Sequence, residues 1–249
     1  MILKMQFSGN SVLCPCYNNE KGHPLLINAG SIADILSHDG TDGMKGAYSG
    51  LKDVEMMHMV DPAIIMDVDT PEAYEAMKRY EQERAVPSKE ACMKLHELFE
   101  TPEKVQKHCE KVACVAERLA KSIADKGCLP DLKKIRSAAL LHDIVRSEKN
   151  HAARGEALLE DLGHTGISSI VGAHEELDEY DLSHITEKSV VYLADKLVCE
   201  DVMISIKERF GKKMKRYRND ENAYRAVQRK YRQALQVEKM ISRIVNLSL

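Results

Sequence analysis

Ionisable residues interrupt the most apolar segments of this chain, and no other feature limits its possible folds as much. His142 and Asp143 directly follow the run AALL, Asp195 lies inside VVYLADKLV, and His174 follows IVGA. A carboxylate in such surroundings costs free energy unless it is paired or bound to a cation. Because buried aspartates and histidines can offset one another by sharing a metal ion, the sequence predicts a metal site. Imidazole and carboxylate without thiolate suit Zn, Fe or Mn.

Helical patterns dominate from about residue 88 onwards. Ser88 is a candidate cap for a helix whose apolar stripe would be Cys92, Leu95 and Leu98. Thr101-Pro102-Glu103 predicts the start of a second helix, with Thr101 as its cap. This second helix would carry His108, Val112, Val115 and Leu119 on one face. Further helices are predicted at about 131–145, 151–162, 165–175 and 185–209. With few glycines and no alternating pattern, the region is predicted to be all-α.

The two ends of the chain have a different character. Residues 1–70 are rich in Gly, Asn and Asp, and short apolar pieces at 11–13 and 63–66 predict strands joined by turns. Thr70 then predicts a helix cap, with Pro71 at the first helical position. Beyond about residue 210, a basic stretch precedes a long helical pattern.

We therefore predict a mainly α protein in three parts. The parts are an α/β segment at 1–87, an all-helical metal-binding domain at 88–210 and a C-terminal helical extension at 211–249. The net charge of −3 over 249 residues gives no reason to expect a nucleic-acid or membrane partner. The N-terminus lacks the order of a secretory signal, so we expect a cytoplasmic protein. Seven cysteines at irregular spacing do not describe a disulfide framework, and Cys14-Pro-Cys16 alone is weak evidence for a metal site.

The order of the ionisable residues carries more information than their number. His108 precedes the His142-Asp143 pair by about one helix, and Asp195 follows two or three helices later. This order, H…HD…D, resembles the HD-domain superfamily of metal-dependent phosphohydrolases over about residues 88–210. The resemblance implies that these four residues bind one metal ion. If His108 occurred without the other three residues, it would be interpreted as an ordinary histidine in a helix interface.

Two further matches resemble those HD proteins that hold two metals. His151 begins a segment of the form H-x-x-x-G-x-x-L-L, and His174 falls where the next histidine of these proteins falls. The nearest type is the group of bacterial HD hydrolases that split diadenosine tetraphosphate symmetrically. The resemblance implies a second ion held by Asp143, His151 and His174, a nucleotide-type substrate and hydrolysis by metal-activated water. Because many HD proteins use a single metal, the second ion stays open.

Arg146 stands where many family members carry a lysine, three residues after the aspartate of the HD pair. The resemblance implies that its guanidinium grips a phosphate oxygen, so Asp143 and Arg146 are the catalytic candidates. A surface or structural role for Arg146 is equally open. His96, His164 and His184 are predicted to be surface or capping residues.

The first seventy residues carry a second resemblance. GHP at residues 22–24 and DVDTPE at 67–72 look like the C-terminal part of the nucleotidyltransferases that attach a nucleotide to molybdopterin. The chain lacks the Gly-rich basic loop and the central aspartate segment of that family, so we expect a truncated remnant without transfer activity. The alternative is that GHP is a turn and Thr70 a helix cap. A remnant sheet would leave an open edge, which favours packing on the helices or in a homodimer.

The sequence thus predicts a metal-dependent phosphohydrolase that acts on a nucleotide or dinucleotide phosphate ester or anhydride. One alternative is a nucleotide-sensing HD module without turnover, accessory to a molybdenum-cofactor nucleotidyltransferase. Another is an interaction role for the basic residues at 212–230, although such a charge run is usually a solvated face.

Overall fold

The computed structural model describes residues 8–59, 61–127 and 130–245. This part of the chain forms two compact units, which meet in the sequence between Gln82 and Glu83. Cys128, one of the seven cysteines, lies outside the described residues. The six other cysteines are free thiols. No helix within the described ranges is long and apolar enough to cross a membrane.

The first unit is built around a small mixed sheet. Its strands are β1 (Val12–Tyr17), β2 (Glu20–Lys21), β3 (Leu26–Ile27) and β4 (Val54–His58). The central strand β1 pairs antiparallel with β2 and β3 and parallel with β4. Three helices accompany the sheet: α1 (Ile32–Leu36), α2 (Gly43–Ser49) and α3 (Pro71–Arg84), whose last residues cross into the second unit. The prediction of a strand at 11–13 is confirmed.

The predicted strand at 63–66 is wrong, because Pro62–Ile65 forms a short 3-10 turn. The side chain of Asp61 accepts a hydrogen bond from the amide of Ala63 at 2.9 Å, and Pro62 occupies the first position of the turn. A capping carboxylate followed by proline starts a helical turn more readily than a strand. The cap predicted for α3 is confirmed, since Thr70 Oγ1 accepts from the amide of Ala73 at 3.1 Å.

The second unit is helical, and the protein is mainly α as predicted. Its helices are α4 (Lys89–Leu98), α5 (Glu103–Ala124), α6 (Leu132–Leu141), α7 (His151–Asp161), α8 (Ser168–Gly172), α9 (Glu179–Ser183), α10 (Glu187–Lys196), α11 (Ile206–Arg216) and α12 (Glu221–Val245). Helix α5 packs on α6 and α10. The side chains of Val112, Val115 and Leu119 are buried there, so the predicted apolar face of this helix is confirmed.

The helix predicted at 185–209 is interrupted. Helix α10 ends at Lys196, and a two-stranded hairpin of β5 (Val198–Cys199) and β6 (Val202–Met203) separates it from α11. Glu200 at the hairpin turn has a positive φ of 58°, which no helix tolerates. β-Branched Val198 and Val202 favour the extended conformation on either side.

Of the two helix caps predicted in this unit, one is confirmed and the other is wrong. Ser88 caps α4 as predicted, because its hydroxyl accepts from the amide of Ala91 at 3.2 Å. Thr101 does not cap α5, which begins at Glu103 after Pro102. The buried hydroxyl of Thr101 donates instead to the carbonyl of Ile144 at 3.3 Å. A long-range partner has therefore replaced the local one.

Candidate metal centre

The six predicted ligands come together inside the second unit, although 87 positions separate the first from the last. They sit on different helices or helix ends: His108 in α5, His142 and Asp143 just after α6, His151 at the start of α7, His174 just after α8, and Asp195 in α10. The packing of α5 against α6 and α10 brings the first four predicted residues to one place. The contact between α7 and α8 adds the other two.

The first group consists of His108, His142 and Asp195. Nε2 of His108 lies 3.3 Å from Oδ1 of Asp195. Nε2 of His142 lies 3.9 Å from the same oxygen. The side chains of His142 and Asp195 are almost fully buried, whereas that of His108 is slightly exposed. His108 is thus the member of this group that reaches the protein surface.

The second group consists of Asp143, His151 and His174. Oδ1 of Asp143 lies 3.2 Å from Nε2 of His151 and 3.4 Å from Nε2 of His174. The other oxygen of Asp143 lies 3.6 Å from Nε2 of His142, which belongs to the first group. The carboxylate of Asp143 thus stands between the two groups with one oxygen towards each.

Backbone carbonyls orient three of the four imidazoles. Nδ1 of His108 donates to the carbonyl of Glu200 at 2.6 Å, and Nδ1 of His142 donates to that of Ala139 at 2.8 Å. Nδ1 of His174 likewise donates to the carbonyl of Val171 at 2.6 Å. Each bond leaves Nε2 as the ring nitrogen that faces the carboxylates. Such outer hydrogen bonds fix the tautomer that a metal ligand needs.

The donor atoms fit divalent cations. Nε2 of His142 is buried and has no hydrogen-bond partner among the described residues. In the neutral ring this atom carries a lone pair, and it faces oxygens of Asp143 and Asp195 that also carry lone pairs. Two ligands bound at about 2.1 Å to one ion can be at most about 4.2 Å apart. The separations of 3.2–3.9 Å within the two groups all lie below this limit.

Ionisation states also suit metal binding. Burial lowers the pKa of His142 to about 4, which keeps this imidazole neutral. Burial raises the pKa of the Asp143 carboxyl, but the three neighbouring histidines outweigh this effect and hold that pKa well below its usual range. The centre therefore offers a neutral imidazole and an ionised carboxylate side by side, which are the forms that bind metals.

Two cations that the sequence analysis did not identify hold Asp195 in place. Nζ of Lys196 donates to Oδ2 of Asp195 at 2.6 Å and to the carbonyl of His174 at 2.8 Å. The guanidinium of Arg209 donates to the carbonyls of Asp195 and Val198 and lies 3.4 Å from Oδ1 of Asp195. Burial raises the pKa of Asp195, but Lys196 and Arg209 outweigh burial and keep it well below its usual range.

A signal for Lys196 was present in the sequence, because the lysine adjoins Asp195 within the same apolar run. No local signal pointed to Arg209, which lies on a helix after the hairpin.

Arg146 lies at the second group. Its Nη1 donates to Oδ1 of Asp143 at 3.2 Å and to Nε2 of His151 at 3.0 Å. The guanidinium thus contacts the two atoms that would face a cation of this group. Its side chain is half exposed, so it can turn towards solvent or a ligand without unpacking the core.

The three histidines predicted to be surface or capping residues differ in their burial and hydrogen bonding. The prediction of a surface or capping role is wrong for His96, which is buried and bonded through Nε2 to the carbonyl of Leu140 at 2.8 Å. His96 completes the buried stripe of α4 with Cys92 and Leu95, whereas Leu98 is 46% exposed. His184 is exposed and stacks on Tyr180 at the end of α9, as a surface role requires.

His164 is half-buried, and its Nδ1 donates to the carbonyl of Arg84 at 2.8 Å. It lies just beyond the end of α7 and is not among the six residues of the centre.

Comparison with known proteins agrees with this geometry. Residues 105–198 match the family model described as the HD domain. The match covers all six residues of the centre and supports the HD-type superfamily of metal-dependent phosphohydrolases for this segment. HD domains bind divalent metals, and the His and Asp groups of this chain are able to hold such ions. No curated protein and no solved structure matches the chain significantly.

Proposed function

We propose that this protein is a metal-dependent phosphohydrolase that cleaves a nucleotide or dinucleotide phosphate ester or anhydride. The observation that carries the proposal is the carboxylate of Asp143, which presents one oxygen to His142 and the other to His151 and His174. A carboxylate in this position can bridge two cations. Its place within the HD-matched segment supports hydrolysis rather than a purely structural site.

We further propose that the centre holds two divalent ions, of Fe, Mn or Zn. His108, His142 and Asp195 would hold one ion, and His151 and His174 the other, with Asp143 shared. When bound, such ions lower the pKa of a water molecule and stabilise negative charge on phosphoryl oxygens.

The chain's own residues prepare the centre for this chemistry. The carbonyls of Glu200 and Ala139 hold the rings of His108 and His142 with Nε2 towards the carboxylates. Lys196 fixes Asp195, so that little reorganisation is needed when a substrate arrives. Arg146 contacts Asp143 and His151 and is half exposed, so its guanidinium can transfer its donors to a non-bridging phosphate oxygen.

The substrate class is supported by the resemblance to HD hydrolases that split diadenosine tetraphosphate. The H-x-x-x-G-x-x-L-L segment places His151 at the start of α7 and Gly155 one turn later. A Cβ at Gly155 would lie 3.1 Å from Cγ1 of Val171, so the glycine allows α7 to approach α8 closely. This close approach keeps His151 and His174 together. We expect a small-molecule substrate, without a nucleic-acid or membrane partner.

For the first unit we propose a transferase-like origin without transfer activity. The GHP segment has a structural reason of its own, since a Cβ at Gly22 would lie 2.3 Å from the carbonyl oxygen of Ile64. Thr70 caps α3. These roles need no nucleotide. Gel filtration of the full chain will show whether it forms the homodimer that an open sheet edge favours.

The test is turnover of a nucleotide panel that includes diadenosine tetraphosphate. Full-length protein is loaded separately with Mn, Fe, Co or Zn, and products are separated by chromatography. We expect turnover with at least one metal and a loss of at least about a hundredfold for Asp143→Ala. Asp181→Asn is the matched control, because Asp181 is also buried but bonds to Thr186 outside the centre. Absence of turnover with every metal, or equal rates for Asp143→Ala, would exclude the proposal.

A further inference from the structure

The four imidazoles of the metal centre are oriented in two different ways. Backbone carbonyls accept hydrogen bonds from Nδ1 of His108, His142 and His174. Among the described residues, no carbonyl plays this part for Nδ1 of His151. This ring is held at its other nitrogen, because Nε2 lies 3.0 Å from Nη1 of Arg146. The fourth imidazole therefore takes its orientation from an arginine.

The contact between Arg146 and His151 fixes the role of Nε2. A guanidinium carries only donors, so Nε2 must be the acceptor and its lone pair points at Arg146. A neutral imidazole has one nitrogen with such a lone pair, and a metal ion would need the same lone pair. The hydrogen bond to Arg146 and a bond from His151 to an ion therefore exclude one another.

Charge adds to this exclusion. The same Nη1 donates to Oδ1 of Asp143 at 3.2 Å, and Asp143 belongs to the second group. The guanidinium is always charged. A divalent ion bound to this oxygen would have a like charge as its neighbour, which is unfavourable at short range.

The cations beside the first group leave its imidazoles free. Nε2 of His142 has no hydrogen-bond partner among the described residues, and Nε2 of His108 faces Oδ1 of Asp195. Lys196 and Arg209 contact Asp195 rather than either ring. Imidazole lone pairs are thus available to an ion in the first group, whereas one lone pair of the second group is occupied.

Arg146 can move away without disturbing the core. Its side chain is 52% exposed, whereas that of Asp143 is only 5% exposed. The arginine lies in the turn after α6, where its amide donates to the carbonyl of Asp143 at 3.0 Å. Rotation of its side chain carries the guanidinium into solvent while the six residues of the centre stay in place.

We propose that Arg146 competes with the metal ion of the second group, so that the first group binds its ion before the second. This inference rests on the proposed two-ion centre and deepens it. In the metal-free protein, Arg146 keeps Nε2 of His151 unprotonated and offsets the charge of Asp143. Its guanidinium leaves when the second ion binds, and its donors are then available to a phosphate oxygen of the substrate.

The test is calorimetric titration of metal-free, full-length protein with Mn or Zn alone, with elemental analysis to count the bound ions. We expect one tight and one weaker site in the wild type. Arg146→Leu should bind the second ion at least about tenfold more tightly, in line with the worth of one hydrogen bond between charged groups. Leucine offers no ligand atom, so the gain cannot come from the new side chain.

Arg154→Leu is the matched control. Arg154 lies on α7, is 64% exposed and pairs with Glu148, so this change removes the same charge without touching the second group. We expect its affinity for the second ion to equal that of the wild type. Damage to the fold would weaken metal binding, whereas competition predicts a gain. Should Arg146→Leu fail to fold by circular dichroism, Arg146→Ala takes its place.

These affinities are measured without substrate, so they do not depend on turnover. A gain in Arg146→Leu without hydrolysis by any of the proteins would support the competition and exclude the proposed function. Hydrolysis by the wild type, with equal or weaker binding of the second ion in Arg146→Leu, would exclude the competition alone. A single ion bound by both proteins would also exclude it, because Arg146 would then have no ion to displace.

Discussion

The ammonium of Lys196 donates to Oδ2 of its sequence neighbour Asp195 across 2.6 Å, and both side chains are more than nine-tenths buried. Neighbours on a helix normally point in different directions. Here the lysine curls back and also reaches the carbonyl of His174, just after α8. The buried ion pair therefore links α10 to the end of α8 and holds two proposed ligands at once.

Removal of this lysine should be costly. Lys196→Met leaves the Asp195 carboxylate buried without its nearest cation, and loss of one partner of such a pair costs about 3–5 kcal/mol. Arg209 and His108 remain close to Asp195, so we expect the lower end of this range. Urea denaturation in EDTA measures the free energy of unfolding without any contribution from metals.

The control for this prediction is Lys212→Met. Lys212 is 69% exposed and pairs with Glu208 on the same helix. Because solvent screens exposed pairs, this substitution should change the free energy of unfolding very little. Equal effects of the two substitutions would contradict a structural role for the Lys196–Asp195 pair.

Each of the two ligand groups of the metal centre should bind one metal ion. We expect full-length protein to bind two equivalents of a divalent transition metal, and His108→Ala and His174→Ala to lose about one each. Asp143→Ala should lose both, because its two oxygens face different groups. Elemental analysis after gel filtration gives the stoichiometry. A single equivalent in the wild type would exclude the two-ion centre but leave a mononuclear one.

Metal binding should also stabilise the fold. A ligand that binds only the folded state adds about 2.7 kcal/mol at a concentration of 100 Kd. The thermal midpoint of the wild type should therefore rise on addition of Mn or Zn, and that of Asp143→Ala should rise much less. An equal rise in both would indicate that the ions bind elsewhere.

His96 predicts a pH dependence of stability. Burial lowers its pKa from 6.5 in the folded protein, despite the bond to Leu140. The unfolded chain therefore takes up a proton first as the pH falls. The contribution of neutral His96 to the free energy of unfolding is fully present above about pH 6.5. It is lost as the pH falls from this value to the lower pKa of His96 in the folded protein.

The substitution His96→Gln isolates this contribution, since an amide can still donate to the Leu140 carbonyl. Urea denaturation from pH 7.5 to 5 should show a smaller loss of stability for the variant than for the wild type. Parallel curves would show that His96 does not contribute.

Gly22 provides a test within the first unit. A Cβ there would lie 2.3 Å from the carbonyl oxygen of Ile64, and backbone must move to admit it. We expect Gly22→Ala to destabilise the first unit by about 1–3 kcal/mol. Gly50→Ala is the control, because nothing lies within 4 Å of a Cβ there. Limited proteolysis should cut the Gly22→Ala variant faster within residues 8–82, with the second unit unchanged.

Much of the fold could be predicted from local pattern. The caps at Ser88 and Thr70 and the buried face of α5 depend on residues within four positions of one another. The predictions for individual residues were wrong where a side chain bonds to a group distant in the sequence instead of to a nearby one. Thr101 bonds to Ile144 instead of capping α5, and His96 is buried because α6 offers the carbonyl of Leu140.

By itself, the sequence indicated which ionisable residues the fold would bury together as a candidate metal centre. His142, Asp143 and Asp195 lie in apolar runs, and burying such groups without partners is too costly for their positions to be incidental. Only the tertiary structure decided how Asp143 divides its oxygens between two groups, and which cations hold Asp195 in place. These contacts join α6, α7, α10 and α11. Helical periodicity reports which face a residue lies on, whereas the partner across that face depends on how distant helices pack.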